Sequence, residues 1–355
     1  MAFAPGRARN QHSSLQLILF LAAVILLTTA AAGETCTTQS ALTPAQRASI
    51  AAAAHSLTAM VQADNTTLLR SSTTPEISKD FTALQSLVAS TAPRLAGGVP
   101  TVDQIYLLDA TSLKPNADGT APDAQFYCSL NRSTMEVEFT IPSLPPGIYA
   151  FAMVDVAPPP GAATPSPYRL SYLLHQDPAQ RWLLAGFYPR AATAAGHDGL
   201  WYWTHARQLA TNKQPWNAWL YYQAAIKLLD PAPFVNSTHL DKLRTEAAAA
   251  APPALSEGIS VDAPLVVKAA GGAEYRFTAL TVDDSLGLPS LDIEAHLQVE
   301  SNTDPIAARK RNNDAASALL AAYPELRGPF HGVWIYAEAP NSNPFATEQP
   351  MADIK

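Results

Sequence analysis

The sequence predicts an α+β protein, and three observations carry that reading. Two helical segments at the start give way to a run of short strands. A purely helical stretch follows, over 197–250. After "AAAAAPP" (247–253), strands return around one further helix. With 48% hydrophobic residues the chain can fill real cores, and its 30 prolines cluster between elements rather than inside them. The expected architecture is two helices plus an antiparallel sheet, a helical hairpin connector, and a second small α+β domain.

Taken in order, "PAQRASIAAAAHSLTAMVQA" (44–63) is alanine-rich, with Pro44 in its first turn and Thr43 as N-cap. A second helix fits 75–90, where Ile77, Phe81, Leu84 and Val88 recur at helical spacing. After the Gly97-Gly98 turn the period changes. Strands are expected at 101–110 and 124–131. In "MEVEFTI", Met135, Val137, Phe139 and Ile141 share one face and Glu136 and Glu138 the other, as in a sheet with one wet side. "GIYAFAMVDV" (147–156) is apolar on both faces and should be central. Strands 168–176 and 181–190 are joined by "DPAQ", with Pro178 in a favoured turn position.

The closing hairpin, a tyrosine-rich strand, a polar turn and then "RWLLAGFY", resembles the final strands of NTF2-like domains. That resemblance covers 41–190 and implies a curved sheet wrapped around N-terminal helices into a cone. A competing likeness, of "IPSLPPGIYAF" to small immunoglobulin-like modules, does not accommodate the two preceding helices.

"GHDGLWYWTHARQL" (196–209) reads as a helix start, with Asp198 as its cap and three consecutive aromatics behind it. Trp201, Tyr202 and Trp203 point about 100° apart and so cover much of the helix circumference. With Trp216, Trp219 and Tyr222 of the following helix, they are assigned to interdomain packing; the alternative is an aromatic platform for a sugar or peptide. The pair resembles a single degenerate tetratricopeptide repeat. Ala206, Leu209, Ala218, Tyr222 and Ala225 fit that pattern, whereas His205 stands where leucine is usual. "FVNSTHLDKLRTEAAAA" offers a third helix. Beyond it, 255–355 reads β-β-β-α-β-β. As a whole the chain also resembles an uncharacterised group of exported bacterial proteins, which implies an address and no activity.

That address has its own signal. Residues 1–33 carry Arg7 and Arg9, the apolar core "LQLILFLAAVILL", then "TTAAAG". This is the layout of a secretory signal cut near Ala32 or Gly33, leading to the periplasm or the extracellular space. The alternative is an uncleaved anchor, the one case in which membrane contact is expected. Cleavage would remove two arginines and no acid, taking the net charge from −7 to −9. Such an acidic chain argues against nucleic acid as a partner. The two cysteines, Cys36 and Cys128, could pair in an oxidising compartment; the alternative is two unrelated thiols.

Chemistry is sparse. There is no phosphate-binding glycine loop, no G-x-S-x-G elbow, no H-E-x-x-H, and too few cysteines for a thiolate cage, so neither a cofactor nor a metal is expected. Arg309-Lys310-Arg311 reads as a solvated face. Asp155, near the end of the most apolar strand, is the weak catalytic candidate. In an NTF2-like cone it could act as a general base, assisted by Tyr149 or Tyr172. His175 and Asp177 sit at a hairpin tip, and His197 beside the helix cap. The preferred expectation is a non-catalytic exported module binding a protein or small ligand in the cell envelope. The alternative is a hydrolase or isomerase acting on a small apolar molecule in the cone.

Overall fold

Thr43 opens the first long helix through a reciprocal capping box: its side chain accepts from Gln46 N while Gln46 reaches back to Thr43 N. This helix, α1 (Pro44–Gln62), buries Ile50, Ala54, Leu57, Thr58 and Val61, one stripe of a 3.6-residue period. The computed structural model describes residues 34–130, 136–159, 161 and 167–355. The expected signal segment (1–33) and Met135 lie outside the described residues.

The single helix expected over 75–90 is instead broken. Short helices α2 (Thr66–Ser71) and α3 (Pro75–Lys79) precede α4 (Thr82–Leu95). The break falls at Asp80, whose backbone is extended (φ −123°, ψ 83°), and Phe81 beside it is buried. Turning the chain there lets Phe81 enter the core while α3 lies against the sheet edge, where Thr74 N donates to Leu184 O at 3.0 Å.

Strand β1 (Thr35–Thr38) begins the large antiparallel sheet, ordered β1-β2-β5-β6-β7. Its other members are β2 (Val99–Asp109), β5 (Ile148–Ala157), β6 (Tyr168–Gln176) and β7 (Trp182–Ala191). The doubly apolar β5 is its central strand, and register shifts in β2–β5 and β6–β7 mark two bulges. A smaller sheet is ordered β10-β4-β3, from β3 (Ala124–Ser129), β4 (Glu136–Ile141) and β10 (Val235–Ser237). Among the described residues, no sheet closes into a barrel.

The large sheet therefore has two buried faces. Ala150, Ala152, Val154, Leu170, Tyr172 and Leu174 pack on α1 and α4. Tyr106, Tyr149, Phe151 and Leu173 pack on the small sheet, where Tyr106 and Phe151 meet Phe139 edge-on at 5.2 and 5.3 Å. Cys36 of β1 and Cys128 of β3 form a disulfide with Cα atoms 5.3 Å apart. The bond staples the edges of the two sheets together across 92 residues of sequence.

A two-residue hairpin, β8 (Thr193–Ala194) and β9 (His197–Asp198), leads into α5 (Gly199–Thr211), followed by α6 (Pro215–Leu229) and α7 (Thr238–Ala249). Residues 197–250 do more than connect. They share one core with the C-terminal sheet, and between α6 and α7 they lend β10 to the N-terminal one. That C-terminal sheet is ordered β11-β12-β13-β14-β15: β11 (Leu265–Lys268), β12 (Glu274–Asp283), β13 (Asp292–Gln298), β14 (Gly332–Glu338) and β15 (Phe345–Pro350). The β13–β14 pair is parallel because α8 (Pro305–Ala322) crosses between them. Buried Asn312 of α8 donates to Ile335 O, Phe345 O and Thr347 Oγ1, tying the helix to edge strand β15. Among the described residues, no helix is long and apolar enough to cross a membrane.

Candidate functional site

The three catalytic candidates do not converge. Asp155 shares a face of β5 with Tyr149 but lies six residues along it, about 20 Å away at strand rise. It is 43% exposed and pairs with Arg169 of β6, directly opposite, at 2.8 Å. Tyr172 faces the opposite side of the sheet. It is fully buried, and because the Thr58 hydroxyl donates to Ala54 O, the Tyr172 hydroxyl donates to Thr58, at 2.9 Å. The assistance of Asp155 by either tyrosine is thus corrected: strand alternation separates one and strand length the other. The helix-facing side of the sheet, where a cone cavity was expected to lie, is filled by Tyr172 and its aliphatic neighbours.

A larger opening lies on the other face. A cleft of about 740 Å³ runs between the ends of β4–β7, helix α3, and the loops 142–145 and 233–234. Apolar groups dominate its walls: Ile77, Ile141, Leu144, Leu173, Ala185 and Phe234. Two of its polar groups are held in place. His175 stacks on Tyr149 with centroids 4.7 Å apart. The Tyr149 hydroxyl donates to Pro145 O at 2.9 Å, which holds both rings in place. Burial pushes the His175 imidazolium down, against the opposing pull of Glu76 and Asp177, and so favours the neutral ring at pH 7. Burial, with Glu76 acting the same way, pushes the Tyr149 phenol up to about 12.

Backbone features shape this cleft. A Cβ on Gly147 would stand 2.7 Å from His175 Nε2, and one on Gly186 would stand 2.8 Å from the Tyr188 hydroxyl. Both glycines make room for a polar ring to lie across the chain. Ala185, the extra residue of the β7 bulge, turns its methyl into the cleft. Nothing in the sequence marks Glu76 or Ala185. His175 was legible only as a hairpin residue, although its alternation with Ser171 and Leu173 places it on the cleft side of β6.

The aromatic segment is placed as follows. Asp198 caps α5 by accepting from Trp201 N at 2.8 Å. Tyr202 and Trp203 are buried, as are Trp216 and Tyr222, while Trp201 and Trp219 are half-buried. Trp201 lies between His197 and His205, each stacked at 3.7 Å. Trp203 donates its Nε1–H to Glu246 at 2.7 Å beneath the Arg207 guanidinium. Leu200, Trp203, Leu240 and Leu243 meet Tyr106, Phe151 and Met153 around a crevice of about 210 Å³, so this helix adjoins both units. In the basic triplet, Lys310 pairs with exposed Asp314, and Arg311 binds Ser301 O and Asn302.

Among the described residues, one group of side chains has metal-ligand proximity: Asp292, His331 and Glu348, far from the cleft in sequence and on a different sheet. Compared with protein-family models, with curated proteins and with solved structures, the chain matches none.

Proposed function

We propose that the protein is a non-catalytic exported binding module whose cleft between the large sheet, α3 and the small sheet holds a small, mostly apolar molecule. One observation carries this reading: a mostly apolar cleft of about 740 Å³ in which the His175 and Tyr149 rings are held in place before any ligand arrives. Its size lies within the ~300–1,000 Å³ usual for small-molecule sites. Neutral His175 and the Glu76 carboxylate would orient one polar group of the ligand, with Phe234, Leu173 and Ile141 taking its carbon skeleton. Export is supported by the signal-like first 33 residues and by the disulfide, which persists in oxidising compartments. Binding is preferred over hydrolysis or isomerisation because Asp155 is tied to Arg169 outside the cleft.

The test is a titration with a solvatochromic apolar dye, read by emission. One saturable site is expected, and Ala185→Trp, which fills the cleft, should abolish it while leaving the melting temperature within a few degrees. Dye binding unchanged by Ala185→Trp would contradict the assignment.

A further inference from the structure

We propose that Asp292, His331 and Glu348 form a binding site for one divalent transition-metal cation, of the zinc class, on the C-terminal sheet. Their ligand atoms lie within 4.8 Å of one another. They arrive from three separate places: Asp292 begins β13, His331 immediately precedes β14, and Glu348 lies in edge strand β15. The backbone fixes that meeting. His331 N donates to Leu291 O and His331 O accepts from Met351 N, both at 2.8 Å, so His331 is pinned between the strands that carry its two partners.

The charge balance asks for a cation. Asp292 is only 2% exposed, and its carboxylate pairs with His331 Nδ1 at 2.9 Å. Glu348 Oε1 is buried and accepts no hydrogen bond. Among the described residues, neither carboxylate is ion-paired with a lysine or arginine. Two carboxylates held together in this way are costly unless protonated or bridged by positive charge.

Space has been kept open for those oxygens. A Cβ on Gly332 would stand 2.8 Å from Gln349 O, 2.9 Å from Glu348 Oε1 and 3.1 Å from Asp292 Oδ1. Three oxygens therefore converge over a residue that has no side chain. One imidazole and two carboxylates are donors that zinc accepts, and three protein ligands leave a further position for water. Entry is from the His331 side, where the ring is about one-third exposed. A bound ion would join β13 and the start of β14 to β15, the edge strand that pairs only with β14.

The experiment is calorimetric titration of Zn²⁺ into the EDTA-dialysed full chain, with Glu348→Gln, His331→Gln and His296→Gln in parallel. The expected result is one ion per chain. Glu348→Gln and His331→Gln should each weaken it by about tenfold or more, since even outer-shell changes cost 10–100-fold. His296→Gln, on the same face but outside the trio, should leave it unchanged. Hydrogen exchange in Phe345–Pro350 should slow on adding Zn²⁺. Near-UV circular dichroism checks each variant's fold; if Glu348→Gln fails that check, His331→Gln at its partly exposed position carries the test. Absence of binding by the unsubstituted chain would overturn the proposal, as would binding that survives both ligand variants or is lost in His296→Gln.

Discussion

The His175 imidazole lies on the Tyr149 phenol ring, centroids 4.7 Å apart, from directly opposed positions on β6 and β5. This pair forms a polar floor in a mostly apolar cleft, and Gly147 is what lets the imidazole lie so close to the chain. A fixed neutral imidazole can accept or donate one hydrogen bond to a ligand without first being ordered, which lowers the entropic cost of binding. Its depressed pKa also has a sign for stability. The unfolded chain binds this proton more readily than the folded one, so acidification through the ordinary value of 6.5 destabilises the fold. His175→Gln should remove that sensitivity, narrowing the gap in melting temperature between about pH 5 and about pH 8. An unchanged gap would remove His175 as its source.

Asp155 and Arg169 lend themselves to a control. Both are substantially exposed, at 43% and 28%, so their ion pair contributes little. Asp155→Asn should cost about 1 kcal/mol or less and leave dye binding in the cleft untouched. Loss of binding would place Asp155 in the site and revive the catalytic alternative.

Trp203 tests the role of the aromatic helix. Its ring is 8% exposed, covers the crevice between the two units, and donates to Glu246 under Arg207. Trp203→Ala should lower unfolding free energy by about 3–5 kcal/mol, measured by denaturant titration, with both units losing stability together. An unchanged midpoint accompanied by loss of a sugar or peptide ligand would favour the platform role.

His296 gives a second pH dependence, opposite in sign. Burial alone would lower it, but the hydrogen bonds its ring donates to Glu338 at 2.7 Å and Glu294 at 2.9 Å outweigh that and raise it. Its contribution is therefore full below about pH 6.5 and fades as pH rises through the raised folded value. His296→Gln should destabilise more at about pH 5.5 than at about pH 9; equal losses at both would contradict the carboxylate bracket.

The disulfide makes the simplest prediction. Cys36→Ser with Cys128→Ser should cost up to ~4–5 kcal/mol in the chain-entropy model, and reductant should lower the unsubstituted chain's melting temperature but not the variant's.

Much of this fold was legible from local rules. The α+β class, the alternation of Val137, Phe139 and Ile141, the central place of β5, and the Thr43 and Asp198 caps all follow from period and capping chemistry. Each depends on neighbours within a few residues. The break at Asp80 leaves no mark in the sequence because Ile77, Phe81, Leu84 and Val88 keep helical spacing across it; burial of Phe81 overrides the period. Strand β10 was hidden inside an apparent helix, since its partner, β4, lies about a hundred residues earlier. The cleft was illegible for the same reason. Glu76, Tyr149, His175 and Phe234 come from four elements that only the tertiary fold brings together.

The central claim is that the cleft holds a ligand, and native mass spectrometry of the protein, purified gently from its own host, tests it most directly. The account predicts a small adduct mass that survives purification and is absent from Ala185→Trp prepared identically. A bare chain mass for both proteins, or an adduct retained by Ala185→Trp, would contradict it.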